Sequence, residues 1–298
     1  MTTEDPERTD DDSAKPSPSP VAVLPEAEKA VRSQGRAALC QIVRCEGSTP
    51  GKLGWKLLVR PDGTRFGNLG GGAFEAMVEA DAREMLADSG SSSRVKRYYL
   101  TEEAVQGDAT GMVCGGMIEV FLERLIAAPL VVICGGGPVG QGVARAAKLA
   151  GFDRLVADDR EAFRDPRLFP SGTELAEVDR EYGSDFLGPF AERELHVTIV
   201  SRCWETDAAA LASVIRQAPP GLRYVGLMGS RRKIERVRRE VEDRGYELAD
   251  LPLHAPIGLP IGGDSPGEIA ISVLAEIVQL RTRRESSRET RLQAVQES

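Results

Sequence analysis

Six residues, Gly135-Gly136-Gly137-Pro138-Val139-Gly140, restrict the fold of this chain more than any others. They follow an apolar run, Leu130–Cys134, and open an apolar helical pattern over Val139–Leu149. A G-x-G-x-x-G pattern is weak alone, but between a strand and a helix it describes a turn that can hold a phosphate. Gly135 permits the tight turn, Gly137 lets backbone approach the ligand, and Gly140 allows close helix–strand packing. The helix start adds unpaired N–H groups and a partial positive charge. A second strand, Arg154–Ala157, ends at Asp158, about twenty residues on, where an acidic side chain often meets ribose hydroxyls. Asp159 is the adjacent candidate. The residues alone also allow a glycine-rich turn that binds nothing.

The alternation continues downstream. Strands are expected at Leu195–Val200 and Leu222–Leu227, with helices at Asp207–Gln217 and Arg231–Arg244. Strands alternating with helices imply βαβ units and a parallel sheet, so residues 129–281 read as a Rossmann-type doubly wound domain. Its last helix is announced by Ser265-Pro266-Gly267-Glu268, which offers an N-cap, a proline at the first helical position and a capping-box glutamate. A second anion site is suggested by Gly229-Ser230-Arg231-Arg232-Lys233. Ser230 reads as an N-cap, which puts three cations in the first helical turn, each opposing the helix dipole by roughly 0.3–1 kcal/mol when exposed. A bound phosphate would turn that opposition into attraction, whereas a solvated basic face needs no ligand.

Residues 26–128 form a mixed α+β region. A helix near Glu26–Ser33 leads into a strand at Ala37–Val43. Lys56–Arg60 and Arg65–Leu69 flank Pro61-Asp62-Gly63, residues that favour a hairpin reversal. Ala73–Ala87 has a helical apolar stripe, and Val95–Leu100 and Met117–Leu122 are further strands around a glycine-rich loop. Gly70-Gly71-Gly72, with Glu75 just inside the helix, could hold an anion on its backbone amides or serve as a turn and cap. Cys114 sits beside Gly115 in the second loop; a thiolate there suits a soft metal, while burial among small residues is the alternative. Cys134 and Cys40 read as core. Residues 1–25 are acidic and proline-rich, a composition that cannot bury enough apolar surface to fold, and 282–298 read as a polar tail or frayed helical end.

Composition excludes several classes of function. The formal net charge is -8, which argues against a broad nucleic-acid surface or an anionic-membrane surface. No apolar run reaches spanning length and no signal peptide is recognisable, so a reduced, cytoplasmic setting is expected. With 5 cysteines and 2 histidines, a structural zinc site or a Ser-His-Asp constellation is poorly supplied. The oligomeric state, monomer or homodimer, is left open.

Several short motifs resemble one known family. Gly47-Ser48-Thr49-Pro50, Leu58-Val59-Arg60-Pro61-Asp62-Gly63, Gly70-Gly71-Gly72-Ala73-Phe74-Glu75 and Gly111-Met112-Val113-Cys114-Gly115-Gly116 look like the N-terminal domain of XdhC/CoxI proteins. Tyr224–Lys233, His254-Ala255-Pro256-Ile257-Gly258-Leu259 and the Pro266–Arg281 segment resemble its Rossmann domain. The resemblance covers nearly everything between the tails, in family order. It implies a maturation factor that binds the molybdenum cofactor (molybdopterin). Such a factor protects the cofactor while a cysteine desulfurase partner installs the sulfido ligand, then delivers it to a xanthine dehydrogenase-like apo molybdenum hydroxylase. The implied cofactor-binding set is Gly70, Gly71, Gly72, Glu75, Cys114, Gly115, Gly135, Gly137, Gly140, Asp158, Ser230, Arg231 and Arg232, with Cys114 near the molybdenum. Two positions depart from the family pattern: Ala73 stands where many members have cysteine, and Trp204 where histidine is frequent. The rival expectation is an NAD(P)-dependent oxidoreductase, for which the glycine loop and Asp158 are the evidence. No proton donor and substrate constellation accompanies it, so a non-enzymatic role is the first reading.

Overall fold

The computed structural model describes residues 19–87, 91–100, 108–109 and 115–296, with side chains left out at 108–109 and beyond Thr282. The chain divides into two compact units. One holds residues up to Val31 together with Arg36–Leu125, the other Arg32–Gly35 together with everything from Ile126.

The first unit is a helix–sheet–helix sandwich. Helix α1 (Val23–Gln34) leads into strand β1 (Arg36–Glu46), followed by β2 (Lys56–Val59) and β3 (Arg65–Gly67). Helix α2 (Gly72–Ala87) precedes β4 (Ser93–Tyr99), β5 (Asp108–Ala109) and β6 (Met117–Ile126). The sheet order is β3-β2-β1-β6-β4-β5. The hairpin forms as the turn residues require: Leu58 pairs with Phe66, Asp62 Oδ1 accepts from Thr64 N at 2.8 Å, and Gly63 takes φ 82°. Alternation along β1 covers both faces. Ala38, Cys40 and Ile42 meet Phe74, Val78 and Ala82 of α2, while Ala37 shares a cluster with Val23, Ala27 and Ala30 of α1. Helix α1 starts at Val23, inside the segment expected to be tail, because Val23 and Ala27 bury a stripe against Leu58.

The second unit is a six-stranded parallel sheet. In chain order its elements are β7 (Leu130–Cys134), α3 (Pro138–Leu149), β8 (Asp153–Asp158), β9 (Thr173–Glu177), β10 (Leu195–Ile199), α4 (Trp204–Gln217), β11 (Leu222–Leu227), α5 (Arg231–Asp243), β12 (Leu253–His254) and α6 (Pro266–Gln296). The order β12-β11-β10-β7-β8-β9 places the first strand of the unit beside its fourth, so the winding direction reverses between β7 and β10. That is the Rossmann arrangement, and a doubly wound sheet opens its crevice at this reversal, beyond the strands' carboxyl ends. Strand β7 shows why its sequence is uninterruptedly apolar: Leu130 and Val132 face α4 and α5, and Val131 and Ile133 face α3 and α6. Strands β9 and β12 go beyond the sequence expectation. Both are short edge strands, and β9 is only partly buried, so neither carries an apolar run. The capping box of α6 forms as read, with Glu268 Oε2 accepting from Ser265 Oγ at 2.7 Å and from Ser265 N at 3.0 Å.

Candidate functional site

The glycine loop lies where the winding reverses. A Cβ on Gly135, which has φ 120°, would stand 2.9 Å from Ser201 Cα and Val200 O, so only a bare backbone lets β7 end against β10. A Cβ on Gly140 would meet Gly135 O at 1.9 Å, which is the close helix–strand contact expected there. Gly137 differs from both. It is the N-cap of α3, has an ordinary φ of -67°, and a Cβ added to it would meet nothing within 4 Å. Its open side faces no protein, so the start of α3 can be approached along the line of its unpaired amides.

Both acids at the end of β8 are already engaged. The Asp158 carboxylate is buried; its Oδ2 accepts from Gly136 N at 2.7 Å and from Arg160 Nη2 at 2.9 Å. Its Oδ1 accepts from Arg160 N at 3.0 Å and Arg160 Nε at 2.9 Å. Asp158 therefore braces the glycine loop, and every hydrogen bond it accepts comes from within the protein. Asp159 is held by a two-pronged pair with Arg202 at 2.7 and 2.8 Å, and this guanidinium keeps its carboxyl below the usual range. Arg160, absent from the expected site, stacks over Phe163 at 3.7 Å from the ring centre. The signal was its position two residues after Asp158, where an arginine can fold back on the carboxylate.

The start of α5 keeps part of its expected character. Ser230 accepts from Lys233 N at 3.3 Å as an N-cap should, and Arg231 and Arg232 are exposed, with no ion pair among the described residues. Lys233 is the exception among the three cations. Its ammonium pairs with Asp207 Oδ2, a carboxylate with 0% exposure whose other oxygen accepts from Ser201 Oγ at 2.5 Å. Burial pushes the Asp207 carboxyl up, and the Lys233 and Ser201 contacts work the other way. Thus β10, α4 and α5 are tied together beneath the exposed arginines. Trp204 takes part in the same junction, with Arg236 stacked 3.8 Å above its ring.

In the first unit, backbone from distant motifs packs closely. A Cβ on Gly51 would lie 2.2 Å from Leu69 O, one on Gly70 2.7 Å from Gly51 N, and one on Gly116 2.3 Å from Ser48 O. The Gly47–Gly51, Leu69–Gly72 and Gly115–Gly116 stretches therefore meet, and Gly115 bridges to Ser48. The Gly70–Gly72 turn does hold an anion, but it is the protein's own: Glu75 Oε2 accepts from Leu69 N at 2.8 Å and Gly71 N at 3.2 Å. Arg65 pairs with Glu75 Oε1 at 2.8 Å, and Asn68 caps Gly70 N. Glu75 thus caps the Gly70–Gly72 turn from within the protein. Gly71 and Gly115 keep an open side, since a Cβ on either would meet nothing within 4 Å. Cys114 and the residues 110–113 before it lie outside the described residues.

Sequence reasoning passed over one further cluster. Glu276 of α6 binds Tyr224 Oη at 2.5 Å, Gly258 N at 2.8 Å and His254 Nδ1 at 3.2 Å, and the His254 ring stacks on Tyr224 at 4.8 Å. It pins the 255–259 loop against β11.

The chain resembles known proteins in both units. Residues 131–277 match a family model described as the XdhC Rossmann domain, and residues 30–99 match one described as the XdhC and CoxI family. An Escherichia coli protein, uncharacterized protein YqeB, is 34% identical over 87% of this chain and 46% of its own length. A Bacillus subtilis protein whose name makes it a probable xanthine dehydrogenase component is 28% identical over 55% of this chain and 46% of its own. The chain therefore spans about half the length of these curated relatives. A solved structure from Bacillus halodurans, described as a xanthine dehydrogenase, aligns over 90% of this chain and 97% of that chain at 23% identity with a TM-score of 0.45.

Proposed function

The chain belongs to the XdhC and CoxI family, and from that premise we propose that it is an accessory protein of a xanthine dehydrogenase-like molybdenum hydroxylase. Its cargo is the molybdenum cofactor, held through the pterin phosphate while a cysteine desulfurase supplies the sulfido ligand, then passed to the apo hydroxylase. The name of the Bacillus subtilis relative supports the choice of client. The proposed setting is the cytoplasm; no described helix is long and apolar enough to cross a membrane.

The observation that carries this reading is the open side of Gly137 at the reversal of a doubly wound sheet. A phosphate fits there by the donor chemistry present: unpaired amides at the start of a 12-residue helix, with a partial positive charge behind them. Arg231 and Arg232, on α5 of the same unit, add cations that no described carboxylate neutralises. In that role Gly137 and its neighbours bind the phosphate, Asp158 keeps the loop in shape through Gly136, and Asp207 with Lys233 fixes α4 and α5. The cargo supplies a metal–sulfur head whose transfer is the outcome of the process. Cys114 is the thiol that the family resemblance proposes for the molybdenum.

A second reading, an NAD(P)-dependent oxidoreductase, is favoured by the strand order and the glycine loop, while the engagement of both Asp158 and Asp159 disfavours its NAD-specific form. Reconstitution separates the two. Chain purified from cells that make the cofactor should restore activity to an apo hydroxylase, and Cys114→Ala should weaken that transfer. Absence of any gain, together with nicotinamide-dependent turnover by the chain alone, would establish the second reading instead.

A further inference from the structure

The end of β8 determines which phosphorylated ligand the second unit can take. In a doubly wound domain this position receives the ribose next to the pyrophosphate, and an acidic side chain binds its 2′- and 3′-hydroxyls through lone pairs that face the crevice. Here those lone pairs are filled from within the protein. Asp158 Oδ1 accepts from the amide and Nε of Arg160, and Oδ2 from Gly136 N and Arg160 Nη2, all between 2.7 and 3.0 Å. A diol could reach the carboxylate only after the Arg160 fork had been broken. Asp159, the next acid along, is covered in the same two-pronged way by Arg202.

The guanidinium that blocks Asp158 is itself well placed. Arg160 lies flat against Phe163, and only its Nε and Nη2 are used by Asp158, so the Nη1 edge has no hydrogen-bond partner among the described residues. A planar guanidinium with one edge anchored and another unused is suited to a phosphate monoester, which accepts paired N–H donors where a diol competes for the acceptor.

We infer that Arg160 is a specificity-determining residue that closes the ribose-diol position of the Rossmann unit and accepts a phosphate monoester there. The inference rests on the reading that the Gly135–Gly140 loop holds a phosphorylated ligand. Its chemistry excludes an unphosphorylated adenosine ribose in the usual pose and admits a ligand with a phosphate at that position. Asp158 acts as the positioning residue, holding Arg160 by its fork and the loop by Gly136.

NADH and NADPH are suitable probes because they differ only by a phosphate monoester on the ribose. Binding of each to the intact chain is followed by nicotinamide fluorescence, for wild type, Arg160→Ala and Arg160→Lys, with the thermal midpoint of each variant as the folding control. Wild type should bind NADPH at least about tenfold more tightly than NADH. Arg160→Ala should reverse that ratio by uncovering Asp158, raising NADH affinity about tenfold while NADPH affinity falls. Arg160→Lys, which keeps the charge but cannot fork, should lie between them and covers the case in which the alanine variant does not fold. Equal or tighter binding of NADH by wild type would overturn the inference, as would a ratio unmoved in both variants or no binding of either dinucleotide. Cofactor retention by the chain is measured separately, so a failure here leaves the molybdenum reading standing or falling on its own result.

Discussion

The Lys233 ammonium forms its ion pair with a carboxylate, Asp207, that has no exposure to water at all. Removing one partner of a buried pair leaves the other charge without compensation, at a cost of about 3–5 kcal/mol. Lys233→Ala is therefore expected to be strongly destabilised in thermal or denaturant melts. The pH dependence carries the sign of a raised carboxyl. Burial already pushes Asp207 up, so in the variant the folded state holds that proton more tightly than the unfolded chain. The deficit should shrink in acid and grow as pH rises above the ordinary carboxylate range near about 4.

The neighbouring cations should behave in the opposite way. Arg231 and Arg232 are exposed in the first turn of α5, where positive charge opposes the helix dipole. Replacing either by alanine should leave stability unchanged or raise it by about 0.3–1 kcal/mol, while phosphate affinity measured by calorimetry falls. Loss of stability without loss of anion binding would assign these arginines to packing.

Glu75 joins three groups that its sequence position alone did not connect. Its carboxylate accepts from Leu69 N, Gly71 N and Arg65. Glu75→Ala should cost about 1–3 kcal/mol through the unpaired amide of Leu69, which is buried. Glu75→Gln, which keeps one acceptor, should recover part of that in the same melt.

Cysteine reactivity gives a test with no ligand involved. Burial pushes the Cys40 thiol up to about 12 and raises Cys134 further still. Across a range of roughly pH 7–9, alkylation followed by peptide mass mapping should modify Cys45 and Cys203, which are partly exposed, well before either buried thiol. A rate at Cys40 that climbs with pH through this window would contradict its placement in the core.

The Rossmann unit was largely legible in the sequence, because its sheet is covered on both faces and its central strands β7 and β10 are buried at every position. Leu130–Cys134 and Leu195–Ile199 could hardly be anything else. The edge strands β9 and β12 were hidden, since Thr173–Glu177 and Leu253–His254 carry no such run. At the site, close glycine packing could be read from spacing, but the occupancy of side chains could not. Asp158 and Glu75 looked like ligand groups because carboxylates beside glycine turns often are. Whether such a carboxylate faces a ligand or caps its own loop depends on tertiary neighbours such as Arg160 and Arg65. The Asp207–Lys233 pair joins residues from two helices, a distance that no local pattern encodes.

Pterin and molybdenum content of the purified chain tests the central claim most directly, with wild type set beside Gly137→Val, both expressed in cells that make the cofactor. A Cβ at Gly137 meets no protein atom within 4 Å, so a side chain there fills the approach to α3 while the fold is kept. Wild type is predicted to retain pterin and metal in a common ratio, and Gly137→Val to melt within a few degrees of it yet retain neither. No pterin on wild type, or equal pterin on both proteins, would contradict the account.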